Sequence, residues 1–191
     1  MSPEPDISRL VARAQAGEAE AFGLLYDAYA QRVYRFILAQ VREPADAEDL
    51  TQQVFTNVLG SLSRYQDRGL PFGAWLFRIV RHAIADRART AGPPGLSGEI
   101  SEVVRDDTHL SELAERAAER ADVRAALATL TTDQRDVVVL RFFAGLPHRE
   151  IGLLLGKPEA SVRVLQFRAL AALRRTMNGD TSRPVTREAT S

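Results

Sequence analysis

Two clusters of basic side chains, each at helical spacing, carry the chemistry this chain is equipped for. Between 63 and 92, six arginines (Arg64, Arg68, Arg78, Arg81, Arg87 and Arg89) stand against only Asp67 and Asp86. Between 141 and 175, six arginines and Lys157 stand against only Glu150 and Glu159. Guanidinium groups at steps of three and four share one side of a helix and can grip successive phosphates. The second cluster adds residues that can read bases. Arginine (Arg163, Arg168) pairs with guanine, glutamine (Gln166) with adenine, and an aromatic edge (Phe167) touches a thymine methyl. A plainer reading stands beside this one. Charged helix faces are often only solvated surface, and Arg174 and Arg175 suit a helix C-terminus whatever its function.

Other chemistries are absent from the pattern. The chain has no cysteine, so disulfides, thiolate zinc sites and thiol sensing are excluded. His82, His109 and His148 lie far apart without metal-ligand spacing, so no metal site is expected. No phosphate-cradling glycine loop or nucleophile elbow occurs, so neither catalytic residues nor a cofactor are expected. No stretch of eighteen apolar residues exists to insert in a membrane, and the N-terminus is unlike a secretory leader. A cytoplasmic protein is expected.

Net charge is formally zero over 191 residues, which ordinarily argues against a polyanionic partner. Segregation removes the objection. Residues 99–122 carry eight acids against three arginines, and the basic clusters flank them. A polyanion docks according to local field, not the sum.

The elements that must position these clusters read as helices. Asp6 can cap a short helix bearing Ile7, Leu10, Val11 and Ala14, with Gly17 as its stop. Phe22, Leu25, Tyr29, Val33, Phe36 and Ile37 share one face of a second helix. Pro44 suits the first turn of a third, where Asp46, Glu48 and Asp49 favour the positive end. That helix buries Ala47, Leu50, Val54, Val58 and Leu62. A polar loop over 63–71 leads to a helix from about 72 to 89, with Phe72, Leu76, Ile79 and Ala83 inward and Arg78, Arg81 or His82, and Arg89 opposite. Trp75 sits among core-like neighbours and reads as packing before base stacking.

Residues 90–98, with Gly92-Pro93-Pro94-Gly95, have little to bury and suit a linker. Helix is expected again from about Leu110. In the second half Val123, Ala126, Leu127 and Leu130 form an apolar face, and Thr131 or Thr132 can cap the next helix. Then come about eight helical residues from His148, the turn Gly156-Lys157-Pro158, and a basic helix from Glu159 to about Thr176. This is the layout of a helix-turn-helix. Val162, Leu165, Ala169 and Leu173 would face its core.

Both halves together resemble the extracytoplasmic-function (ECF) sigma factors, the two-domain minimal form of bacterial sigma. Asp46-Ala47-Glu48-Asp49-Leu50-Thr51-Gln52-Gln53-Val54-Phe55 is similar to the family's polymerase-binding segment in sigma region 2. Phe72-Gly73-Ala74-Trp75-Leu76-Phe77-Arg78-Ile79 is similar to its aromatic signature, and the stretch from Leu130 to Leu170 resembles region 4. The likeness covers roughly residues 8–176. It implies that Asp46, Asp49, Gln52 and Gln53 contact the clamp of core RNA polymerase. It implies that the loop holding Tyr65, Gln66, Asp67 and Arg68 captures a flipped base of the promoter minus-10 element, with Arg78, Arg81, His82 and Arg89 nearby. It implies minus-35 contacts from Arg149, Lys157, Arg163, Gln166, Phe167 and Arg168. An anti-sigma factor is the further partner it implies, and the acidic linker would thread the polymerase channels. At Leu165-Gln166 the chain departs from the family's basic-then-apolar pair.

The expected fold is therefore all-α, with two small helical domains joined by a flexible linker. The boundaries are 6–90 for the region 2 bundle, 91–117 for the linker, 118–176 for the region 4 helix-turn-helix and 177–191 for a disordered tail. Two rival readings use the same elements. A dimeric helix-turn-helix regulator would bind palindromic duplex without polymerase, and a helical protein-interaction module would not need Arg163 or Arg168.

Overall fold

The structure is a computed structural model, and it describes residues 6–41, 43–90 and 107–177. The expected 91–106 part of the linker and the tail from 178 lie outside those residues. Among the described residues all regular structure is helical, in eight α-helices.

The first module holds α1 (Ile7–Gln15), α2 (Ala19–Leu38), α3 (Pro44–Ser61) and α4 (Phe72–Thr90). Each boundary has a local cause. The Asp6 carboxylate accepts from the Arg9 N–H at 3.2 Å and caps α1. Gly17 turns the chain into α2 at φ +90°, a conformation that favours glycine. Pro44 occupies the opening turn of α3, where its missing N–H costs nothing. A short 3₁₀ turn, Leu62–Arg64, ends α3.

The expected core faces are buried, with two differences. Phe22 and Ile79 are only half-buried, while Phe77 and Val80 of α4 are fully enclosed. α4 is apolar around most of its first turns because helices of both modules cover it. Aromatic rings join the layers. Phe36 meets Phe77 edge-on at 5.3 Å, and Trp75 lies 4.8 Å from Tyr65. Trp75 is 9% exposed, so it is a core residue here.

The second module holds α5 (Asp107–Ala128), α6 (Thr132–Val138), α7 (His148–Leu155) and α8 (Glu159–Met177). Helix α5 begins at Asp107, three residues before the expected start at Leu110, so the last part of the expected linker, 107–117, is helical. Thr131 and Gln134 form a reciprocal capping box that starts α6. A π turn over Val139–Phe143, unforeseen in the sequence, extends α6, and Gly145 (φ +68°) follows it. Val123 departs from its expected core role, being 44% exposed.

The two modules touch. Helix α4 runs against α7, and α2 against the π turn. Ala144 and Leu146, which follow that turn, are almost fully buried. A single apolar cluster runs through both modules.

Candidate nucleic-acid interface

In the second module the helix-turn-helix is fixed by two glycines with different tasks. Gly156 ends α7 in the left-handed conformation (φ 65°, ψ 34°), which a side chain would strain. Gly152 is needed for closeness: a Cβ there would lie 2.6 Å from the Lys157 carbonyl oxygen. The Lys157 N–H closes the turn by donating to the Gly152 carbonyl at 2.9 Å. Val162 and Ala169 are fully buried and dock α8 on its brace.

That docking decides which residues of α8 face outward. Arg163, Phe167 and Arg168 are exposed, Phe167 by 76%. Val164 stands between them, 48% exposed, and was not picked out from the sequence. Its signal was available, since Val164 and Arg168 are one turn apart, as are Arg163 and Phe167. Cationic groups beside apolar ones suit phosphate and thymine methyl contacts. Gln166 is held differently. It is half-buried, and its amide oxygen lies 2.6 Å from the His148 imidazole. Lys157 reaches Asp133 at 2.9 Å, Arg163 pairs with Glu159, and Arg149 is exposed.

In the first module the loop before α4 is pinned from beneath. The Gln15 amide donates to the Leu62 and Tyr65 carbonyls at 2.9 and 2.8 Å. The Tyr65 hydroxyl donates to the Leu70 carbonyl at 3.0 Å. Burial, with the Asp67 charge behind it, pushes the Tyr65 phenol up to about 12, so it keeps this donor proton. Tyr65 thus anchors the loop from inside, and Gln66, Asp67 and Arg68 form its exposed rim. A cavity of about 490 Å³ opens beneath, lined by Tyr29, Tyr65, Gln66, Asp67, Phe72 and Glu150. Glu150 comes from α7 of the other module.

Along α4, Arg78, His82 and Arg89 are exposed, and Arg89 pairs with Asp86. Arg81 is occupied: its guanidinium meets the Asp136 carboxylate of α6 at 2.6 Å. On α3, Asp49, Gln52 and Gln53 are exposed on one side, whereas Asp46 pairs with Arg87. The site residues lie on α3, on the loop with α4, and on α7, its turn and α8.

The residues from 25 to 93 match the Sigma-70 region 2 model, and those from 126 to 175 match Sigma-70 region 4. The ECF RNA polymerase sigma factor ShbA of Streptomyces griseus is 38% identical over 88% of this chain and 93% of its own length. This chain belongs to the ECF RNA polymerase sigma factors. BldN of Streptomyces coelicolor is 39% identical over 90% of this sigma factor, which spans 66% of BldN. SigX of Bacillus subtilis is 35% identical over 83% of this chain and 84% of its own. In structure, the sigma factor is similar to CnrH solved in complex with the cytosolic domain of CnrY. That likeness has a TM-score of 0.70 at 28% identity and covers 92% of this chain and 100% of that one. As a sigma factor it is a transcription-initiation factor, acting with core RNA polymerase at promoter DNA.

Proposed function

We propose that the first module of this sigma factor reads the minus-10 element and the second reads the minus-35 element. The observation that carries this division is the exposed face of α8, where Arg163, Val164, Phe167 and Arg168 stand on a rigid helix-turn-helix. Such a face suits the major groove of intact duplex. The loop at 65–71 has a different character. It is short, pinned and set over a cavity, which suits a single extruded base. Extrusion costs a few kcal/mol, and a fitted pocket recovers it only for the right base. Arg78, His82 and Arg89 would then lie along the backbone. Asp49, Gln52 and Gln53, with Asp46 at the start of α3, would meet core polymerase.

The domain limits 6–90 and 118–176 belong to the same proposal, with helix α5 leading into the second module. A proteinaceous inhibitor is a further expected partner. CnrH was solved with the cytosolic domain of CnrY, and an apolar groove of about 350 Å³, lined by Val123, Phe142 and Leu173 among others, is open on this chain. The cytoplasm, where polymerase and promoter meet, is its expected place. Among the described residues no helix is long and apolar enough to cross a membrane.

The test is promoter-specific run-off transcription with purified core polymerase on templates altered in one element at a time. Replacing Arg163 and Arg168 should remove the response to the minus-35 element and spare the minus-10 response. An unaltered minus-35 response would refute the assignment. Tight binding to a palindromic duplex without polymerase would favour an ordinary helix-turn-helix regulator.

A further inference from the structure

Helix geometry fixes the order of side chains across the outer face of α8. At about 100° per residue, Phe167 and Val164 point directly away from Val162 and Ala169, the fully buried pair on which the helix docks. Arg163 lies to one side of this apolar pair and Arg168 to the other. Exposed Ala160, one turn before Val164, continues the stripe toward the start of the helix. The centre of the face is thus apolar, and its cations stand at the edges. Phe167 is 76% exposed and Val164 48%, and side chains of this size gain stability only when another apolar surface covers them.

Several polar groups that could read bases are engaged elsewhere. Gln166 lies beside the buried stripe, and its amide oxygen is held by the His148 imidazole at 2.6 Å. A glutamine reads adenine with that oxygen and an amide N–H together. Arg163 pairs with Glu159 one turn earlier, and Lys157 pairs with Asp133 at 2.9 Å. Leu165 joins Pro158, Ala160 and Val164 along a groove that Arg168 also lines.

Resting on the assignment of the second module to the minus-35 element, we propose that this element is recognised chiefly by its thymine methyl groups, through Val164 and Phe167. The methyl is the one apolar feature that a base pair displays in the major groove. Arginines on both sides of the stripe match the phosphates that border the groove. That charge pattern selects duplex DNA, and not an apolar protein surface, as the occupant. Gln166 then ties α8 to the start of α7 and does not read adenine.

Deoxyuridine supplies the test, because it keeps the hydrogen-bonding atoms of thymine and lacks only the methyl. Templates randomised over the minus-35 element, transcribed by core polymerase with the full-length factor, should yield a selected element rich in T·A pairs. Replacing its thymines by deoxyuridine, one at a time, should lower run-off transcription at limiting polymerase by about fourfold for each covered methyl. Val164→Ala and Phe167→Ala should each erase the difference between thymine and deoxyuridine at one position, and thermal melting checks that both variants stay folded. Equal transcription from thymine and deoxyuridine templates would overturn the proposal, as would a selected element without T·A pairs. A Gln166→Leu factor that loses its preference at an A·T pair, while both alanine variants keep theirs for thymine, would also overturn it. A pool showing no selection at the minus-35 positions would instead overturn the module assignment.

Discussion

Arg81 of α4 and Asp136 of α6 meet at 2.6 Å across two modules that the sequence separates by 55 positions. Both side chains are partly exposed, 35% and 21%. Such a pair in water contributes about 0–1 kcal/mol. Its importance is therefore positional, since it occupies a basic group of α4 that is proposed to contact DNA. Leu146, almost fully buried, packs against the start of α4, where a Cβ on Gly73 would sit 3.3 Å from it.

The docking of the two modules should respond to pH in a defined direction. Burial raises Asp136 above the ordinary carboxylate range, although Arg81, Arg135 and Lys157 pull it down and Asp133 adds to the rise. Burial also raises Glu150, against the pull of Arg32. Opening returns both to water, where carboxylates titrate near pH 4. The closed form thus holds protons more tightly, so acid favours closure. From about pH 4 upward, through the raised values, the long-distance population should grow. It should be measured between a donor and an acceptor dye on cysteines placed at exposed Glu20 and Ala125, one on each module, with salt held constant. A long-distance population that shrinks with rising pH would reverse this sign.

Gly152→Ala should damage the helix-turn-helix by overcrowding. Its Cβ would meet the Lys157 carbonyl at 2.6 Å, and backbone cannot yield as a flexible side chain can. The expected cost is about 1–3 kcal/mol. Gly156→Ala has open space around it but a left-handed backbone, with an expected cost of about 1–2 kcal/mol. Thermal unfolding should show both losses, and unchanged melting in either would contradict the geometry.

Phe167→Ala should separate stability from recognition. The side chain is 76% exposed, and surface substitutions usually change stability by within about 0.5 kcal/mol. A lost base contact costs about 1–3 kcal/mol of discrimination, from about fivefold upward. Melting should hold while activity on the minus-35 element falls. A large loss of melting temperature would make Phe167 a packing residue.

Much of the architecture was legible because local rules and core patterning agree. Asp6, Gly17, Pro44, Thr131 and Gly156 punctuate the helices where their chemistry suggests. Apolar residues at helical spacing mark Leu25, Val54, Val162 and Ala169 as buried. The docking of the modules was not legible. It depends on Arg32, Asp136 and Glu150, residues of ordinary surface type whose partners lie far away in sequence. The inward turn of Tyr65 and the capture of Gln166 by His148 were hidden for the same reason. A polar residue's type reveals what it can bond, whereas tertiary packing decides which bond it makes. The π turn over Val139–Phe143 is announced by no periodicity.

The most direct test of the central claim is run-off transcription by core polymerase with and without this factor. The templates should span a series of spacings between the two promoter elements. Transcripts should start at a fixed distance from the minus-10 element, only when the factor is present, and fall away as the spacing departs from its optimum. Transcription equal to that of core polymerase alone, or indifferent to the spacing of the elements, would contradict the assignment of the two modules.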